Sequence, residues 1–329
     1  MMPALLYAQI TDKPKILILT TGGTIASRAD APLIDGPALV QAVPQLAEYA
    51  DVAVEEVVRI GSSKMTPDVW LQLVQRIDQI LQQQPDLACI LITHGTDTME
   101  ETAFFLNLTH RYETPVILVG AMRSANALSA DGPANLVDAL RVGIHPEARG
   151  KGIMVVLNDN IHAARDLSKI DNQRVQAFAP TERGYLGFVD DERVTFYRTP
   201  VHPHTTQSPF DIYSLSRLPE VDIMQDFAGL DPDILQWFLQ RKNQGLIIES
   251  FAGGRTSAAV QSVRDLPAEY KTIVIASSIR GSRIMGERSG KSPVVIAHDL
   301  PANKARILLM LALTKTDDKE KIQDFFRRF

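Results

Sequence analysis

Short runs of apolar, often β-branched residues alternate with helical patterns over the first half of the chain. The apolar runs lie at 16–20, 52–60, 88–93, 116–120 and 153–157. Between several of them apolar residues recur every three or four positions, as in the helix predicted over 68–83. Near-continuous apolar strands separated by amphipathic helices are typical of a mostly parallel sheet with helices on both faces. The pattern therefore predicts an α/β fold.

The pattern changes at residues 198–219, where proline, serine, threonine and histidine are frequent and no periodicity is sustained. Such a composition indicates an extended linker. After it, apolar runs and helical patterns alternate again over a shorter stretch. The sequence therefore predicts a larger and a smaller α/β domain. The predicted segments are a disordered tail or signal remnant at 1–14, the larger domain at 15–197, the linker at 198–219 and the smaller domain at 220–329.

The charge and hydrophobicity of the chain argue against two classes of binding partner, nucleic acids and membranes. The 34 Lys and Arg are outnumbered by 39 Asp and Glu among 329 residues, so no global positive field favours nucleic acid. The apolar runs are far shorter than the ~20 residues of a membrane-spanning helix. A single cysteine, Cys89, excludes an intramolecular disulfide and lies in an apolar run that predicts burial. We expect a chain that binds neither nucleic acid nor membrane.

Glycine and hydroxyl side chains follow two of the predicted strands. The first strand ends in TTGGTIA at 20–26, and the third ends in THGTDTMEE at 93–101. Each run alone has simpler explanations: the glycines suit a turn or a phosphate cradle, and Thr96 or Asp97 suits a helix N-cap. Ligands gather at the carboxyl ends of strands in an open parallel sheet, where the two clusters would meet. Together they indicate a candidate active site.

These two motifs resemble the signature of bacterial L-asparaginases and glutaminase-asparaginases. Further motifs agree with that family: VGAMR at 119–123, SADGPANL at 129–136 and KARILLMLAL at 304–313. The resemblance runs from about residue 15 to the end of the chain. The run MEETAFFLNLT at 99–109 is closer to the high-affinity, often exported type II branch of the family than to the cytoplasmic type I branch.

The resemblance implies roles for individual residues in amide hydrolysis. Thr24 matches the primary nucleophile, and Thr96 matches a second essential threonine grouped with Asp97 and Lys169. The implied substrate contacts come from both domains and are Gly23, Ser62, Ser63, Gly95, Thr96, Asp97, Ala121 and Glu287. Asp97 suits the α-ammonium of the substrate and Ser62 its α-carboxylate. The family chemistry needs no metal and no organic cofactor. The resemblance also implies a homotetramer built from close dimers, in which the second domain of one subunit completes the site of its neighbour.

Three positions depart from the family pattern. The loop at 27–36 contains no tyrosine, although the family usually carries one there to close over the nucleophile. Ser63 stands where type II enzymes commonly have glutamine. Arg255 lies near the place where the family offers an asparagine to the neighbouring subunit. These departures predict weaker binding of the longer substrate, L-glutamine. We therefore expect L-asparagine to be preferred.

Two other functions remain open at this point. One is the ammonia-supplying subunit of a tRNA-dependent amidotransferase, a relative with an extra N-terminal region. The other is a non-catalytic amino-acid-binding protein, which also closes a crevice between two α/β domains on a small zwitterion. The compartment is open as well: the small residues near the start favour a periplasmic or secreted protein, and a cytoplasmic one is the alternative.

Overall fold

The structure, a computed structural model, describes residues 13–22, 38, 41–267, 269–285 and 294–329. Its strands are β1 (Lys15–Thr20), β2 (Asp51–Glu56), β3 (Cys89–Thr93), β4 (Val116–Val119), β5 (Met154–Leu157), β6 (Asn160–Ala163), β7 (Leu167–Lys169), β8 (Phe178–Pro180), β9 (Gly187–Val189), β10 (Val194–Phe196), β11 (Val221–Gln225), β12 (Gly245–Ser250), β13 (Thr272–Ser277) and β14 (Val294–Ile296). Its α-helices are α1 (Leu46–Tyr49), α2 (Pro67–Gln83), α3 (Met99–Thr109), α4 (Gly132–Ile144), α5 (Pro232–Gln240), α6 (Ala258–Gln261), α7 (Ala302–Leu313) and α8 (Lys319–Arg328).

Within these residues, eight strands form the first sheet in the order β10-β9-β6-β5-β4-β3-β1-β2. The strands from β2 to β5 in this order run parallel, and β6, β9 and β10 continue it antiparallel. From β1 the chain goes outward to β2 at the sheet edge and then returns to β3 on the other side of β1. The carboxyl ends of β1 and β3 therefore flank the topological switch point, where open α/β sheets bind ligands.

Both faces of the first sheet are buried because its central strands are apolar at every position between their ends. Leu17, Leu19 and Ile92 face one hydrophobic cluster, and Ile16 and Ile18 face the other. Helix α2 covers the first cluster, with a threonine N-cap and a proline in its first turn. The continuous apolar runs of the sequence thus correspond to strands buried on both sides.

A second sheet, with parallel strands in the order β11-β12-β13-β14, forms the smaller C-terminal unit. A separate antiparallel pair, β7–β8, lies outside both sheets and carries Lys169 at the end of β7. The predicted two-domain α/β architecture is confirmed. The pairs β5–β6 and β7–β8 and the strands β9 and β10 were not predicted.

The segment 198–219 is irregular, as predicted, apart from a short 3₁₀ turn at Thr205–Gln207. It is nevertheless packed rather than solvated: Phe210 and Ile212 are buried in the core. Gln75 Nε2 of helix α2 donates to the carbonyls of Tyr213 and Leu215 at 3.0 and 2.9 Å. The connection is therefore fixed against the first domain.

In the part of the chain that the structure describes, no helix is long and apolar enough to cross a membrane.

Candidate active site

The carboxyl ends of β1 and β3 meet where the two sequence motifs begin. Thr20 pairs with Thr93 in the parallel register, and Thr21 Oγ1 donates to the Thr93 carbonyl at 2.8 Å. Gly22 has φ +101°, and a Cβ there would lie 2.4 Å from the carbonyl oxygen of Ile60. Both the left-handed backbone and the close approach require glycine at this turn. Gly23 and Thr24, the next expected site residues, lie outside the described residues.

The loop after β3 is held by a buried histidine. His94 Nδ1 lies 2.7 Å from the Gly95 carbonyl, and His94 Nε2 lies 2.9 Å from Thr102 Oγ1. Burial lowers the pKa of His94 to about 4, so the ring is neutral near pH 7. The carbonyl partner requires the proton on Nδ1; Thr102 therefore donates to Nε2 and accepts from Trp70 Nε1 at 2.9 Å. The network fixes the loop that presents the next two residues.

Thr96, Asp97 and Lys169 form one hydrogen-bonded line. Lys169 Nζ donates to Thr96 Oγ1 at 2.9 Å and to Asp97 Oδ1 at 2.8 Å. Thr96 is buried, the Lys169 side chain is 19% exposed and the Asp97 side chain is 63% exposed. The line therefore runs from a covered hydroxyl, through an amine, to a carboxylate that solvent or a ligand can reach. The hydroxyl, the lysine nitrogen and the carboxylate are thus within hydrogen-bond distance of one another in series, which is the arrangement that proton transfer requires.

Ser62 joins this line through the backbone of Asp97. It lies in a 3₁₀ turn at Ser62–Lys64 and is buried. Its hydroxyl accepts from the Asp97 backbone N–H at 3.2 Å, and its carbonyl accepts from Thr98 Oγ1 at 2.8 Å. The neighbouring Ser63 is exposed. The serine expected to hold a substrate carboxylate thus lies directly beside the residue expected to hold the ammonium.

The loop after β4 completes the described part of the site. Ala121 is buried and follows Gly120, whose missing side chain lets His94 and Thr96 approach closely. Asp131 accepts from the backbone N–H groups of residues 122 and 123, each at 2.9 Å, and Asn135 Nδ2 donates to the Gly120 carbonyl at 3.0 Å. The motif at 129–136 therefore shapes this loop. The sequence of this motif indicates the family resemblance but not the structural role of Asp131 and Asn135.

Most of the expected site residues come together, and some fall outside what the structure describes. Ser62, Gly95, Thr96, Asp97, Ala121 and Lys169 lie close together at the carboxyl ends of β3 and β4. Glu287 lies outside the described residues, as Gly23 and Thr24 do. Arg255 is exposed on the second domain. Among the described residues, no three or more His, Cys, Asp or Glu side chains are grouped so as to hold a metal ion.

Comparison with known protein families decides the assignment. The family profile "Asparaginase, N-terminal" matches residues 15–202, and the profile "Glutaminase/Asparaginase C-terminal domain" matches residues 220–326. The chain belongs to the asparaginase family. Its relatives include L-asparaginase 2 of Bacillus subtilis, 35% identical, with the alignment covering 97% of this chain and 87% of the relative. Glutaminase-asparaginase of Pseudomonas fluorescens is 36% identical over 96% of this chain and 91% of that protein.

Solved structures agree with this assignment. The crystal structure of a probable cytoplasmic L-asparaginase from Campylobacter jejuni superposes on this asparaginase with a TM-score of 0.90 and 38% sequence identity. The match covers 96% of this chain and 100% of the other. A relative from Haemophilus influenzae, named a probable periplasmic L-asparaginase, is 36% identical over 98% of this chain and 95% of that protein. Relatives named for both compartments therefore match this asparaginase over almost its full length.

Proposed function

We propose that this asparaginase hydrolyses the side-chain amide of L-asparagine to L-aspartate and ammonia, and acts more weakly on L-glutamine. The observation that carries the proposal is the hydrogen-bonded line Thr96–Lys169–Asp97 at the switch point of the first sheet. The names of the relatives, L-asparaginase and glutaminase-asparaginase, support the same substrates. No metal or organic cofactor takes part in the proposed reaction.

The proposed chemistry begins at Thr24. Its hydroxyl oxygen attacks the amide carbon of the substrate, and ammonia leaves once the amide nitrogen is protonated. Water then hydrolyses the resulting ester and releases aspartate. A threonine hydroxyl is a weak nucleophile at neutral pH, so another group must take its proton. Thr96 and Lys169 are proposed to accept that proton and return it to the leaving nitrogen, supported by their 2.9 Å contact. Thr24 itself takes its role from the family motif.

The proposed substrate contacts use opposite charges at the two ends of the amino acid. The Asp97 carboxylate, which is largely exposed, accepts from the α-ammonium. Ser62, beside the Asp97 backbone, donates to the α-carboxylate. The Ala121 carbonyl accepts from the amide nitrogen. Backbone N–H groups at Gly23 and Gly95 stabilise the oxyanion, where the loss of one donor costs about 3 kcal/mol of transition-state stabilisation.

Two proposed contacts bear on substrate length. Ser63 has a shorter side chain than the glutamine common in type II enzymes, and Glu287 is proposed to reach the site of the neighbouring subunit. A serine at 63 gives a longer substrate fewer contacts, which favours L-asparagine over L-glutamine. Comparable kcat/KM values for the two amides would contradict this preference.

The direct test is a coupled assay of ammonia release by the purified protein with L-asparagine or L-glutamine, in the absence of tRNA. The proposal requires catalytic turnover of L-asparagine. Stoichiometric binding without ammonia release would instead identify an amino-acid-binding protein. Turnover that depends on an added partner and misacylated tRNA would identify the amidotransferase subunit.

We further propose a homotetramer of type II character, located in the periplasm or outside the cell. The exposed position of Arg255 and the exposed Trp237 on helix α5 leave surface on the second domain for subunit contacts. The relative from Haemophilus influenzae that is named periplasmic supports the location. Light scattering tests the assembly: a mass near the 36.4 kDa of one chain would contradict it. Cell fractionation tests the location.

A further inference from the structure

The first turn of helix α7 contains a fully buried cation. Lys304 is the third residue of α7 and is 1% exposed. Both its burial and the positive end of the helix dipole disfavour a charge there. Burial lowers the pKa of Lys304 to about 8, while the carboxylates of Glu100 and Asp166 oppose that shift. At neutral pH the side chain is therefore an ammonium, and it needs strong local compensation.

That compensation comes from the turn that leads into β7. Lys304 Nζ donates to three backbone carbonyls, those of Ala164 at 3.1 Å, Arg165 at 2.8 Å and Leu167 at 2.6 Å. Strand β7 pairs with β8, and just outside this pair the Asp166 carbonyl accepts from Thr181 N at 3.0 Å. Alternate carbonyls of an antiparallel strand point to opposite edges. Lys304 Nζ thus binds the 164–167 segment, and its last acceptor, the Leu167 carbonyl, lies in β7 two residues before Lys169.

The residue before Lys304 contacts the other half of the site. Asn303 Nδ2 donates to Glu100 Oε1 at 3.0 Å, and Arg280 Nη1 lies 3.4 Å from the same carboxylate. Glu100 is buried in the first turn of helix α3, three residues after Asp97. Adjacent residues of one helix in the second domain therefore hold the segment that carries Thr96 and the segment that carries Lys169.

We propose that Asn303 and Lys304 are positioning residues that set the contact between Thr96 and Lys169. Each active site then depends on the second domain of its own chain, in addition to the neighbouring subunit. This inference rests on the proposed function, in which that contact moves a proton. Lys169 lies in a strand of three residues outside both sheets, so its placement depends on what holds the turn before it.

A second contact allows the inference to be tested in a folded protein. Arg165 Nη1 and Nη2 each lie 3.0 Å from the Asp299 carboxylate, and both side chains are largely buried. This ion pair joins the same turn to the second domain and does not involve Lys304. Substituting Lys304→Met leaves three carbonyls without their donor, and we expect the turn to shift rather than to detach.

The experiment compares Lys304→Met with Lys271→Met and Lys169→Met. Lys271 also donates to backbone carbonyls, those of Phe238 and Arg241, but far from β7. A displacement of about 1 Å at a reacting group costs on the order of 100-fold in rate. We expect that loss of kcat for Lys304→Met, with KM and the Kd for L-aspartate within about threefold of wild type. Lys271→Met should lose stability and keep its kcat.

Two results would overturn the positioning role. One is wild-type kcat in Lys304→Met; the other is a Lys304→Met crystal structure that keeps the 2.9 Å contact of Lys169 Nζ with Thr96 Oγ1. If Lys304→Met does not fold, Asn303→Ala serves in its place, with an expected loss of about tenfold in kcat at unchanged KM. Full activity in Lys169→Met would overturn the proposed proton transfer through Lys169, whereas the absence of ammonia release from L-asparagine by the wild-type protein would overturn the proposed function, so these failures are distinguishable from one another.

Discussion

Gly120 is the position where a single added methyl group most directly perturbs the site. A Cβ there would lie 2.6 Å from the His94 carbonyl oxygen, 2.6 Å from Met99 Cε and 3.4 Å from Thr96 Cγ2. The Met99 methyl can rotate away. The His94 carbonyl belongs to the loop that carries Thr96, and it can move only if that loop moves. Gly120→Ala therefore forces the strand end and the loop apart.

The size of the effect follows from these contacts. Inserting a methyl group into a filled interior typically costs about 1–3 kcal/mol of stability. A shift of about 1 Å in Thr96 would cost on the order of 100-fold in kcat. We therefore expect Gly120→Ala to have a lowered thermal midpoint and a kcat for ammonia release from L-asparagine reduced on the order of 100-fold.

Gly143→Ala is the matched control for this variant. Its Cβ would lie 2.6 Å from Cys89 Sγ, so the crowding is similar but falls in the core beneath helix α4. We expect it to change the thermal midpoint and to leave kcat near wild type. A wild-type kcat in Gly120→Ala would contradict this expectation, because the close approach would then not constrain Thr96.

Two further predictions concern stability. Thr102→Val keeps the shape of the side chain but removes the hydroxyl between Trp70 Nε1 and His94 Nε2. Each buried group left without a partner costs about 1–3 kcal/mol, so we expect a lower free energy of unfolding. An unchanged urea midpoint would contradict this loss of stability. Burial, with a contribution from Asp159, raises the pKa of Asp138 to about 6, so the folded state binds its proton more tightly than the unfolded state. Stability therefore falls as pH rises from about 4 to 6, by about 3 kcal/mol. Asp138→Asn should remove that slope in urea denaturation; an equal slope in both proteins would contradict it.

The sequence predicts the central part of the first sheet because buried parallel strands are apolar at every position. That signal weakens as strands shorten. Strands β6 to β10 have three or four residues, and several carry polar or half-buried side chains. Their pairing depends on contacts between distant segments, which local periodicity does not contain. Strand β7, which carries Lys169, belongs to this group.

The candidate site likewise contains residues that local sequence places together and residues that it does not. Glycines and hydroxyls at two strand ends predict that the motifs at 20–26 and 93–101 meet, since parallel strands end at one edge. Nothing in the local sequence places Lys169 beside Thr96, 73 positions earlier in the chain; only the family resemblance indicates it. The roles of His94 and Lys304 were missed because a buried histidine or lysine is defined by partners that lie far away in sequence.

Ammonia release from L-asparagine by Thr96→Val tests most directly whether Thr96 and Lys169 move the proton in the proposed reaction. Valine preserves the shape of the side chain and removes the hydroxyl that accepts from Lys169 Nζ. A positioned proton-transfer group contributes about 100- to 10,000-fold to a rate. We expect a loss of kcat in that range, with L-aspartate binding and the thermal midpoint close to wild type. Release of ammonia by Thr96→Val at the wild-type rate would contradict it.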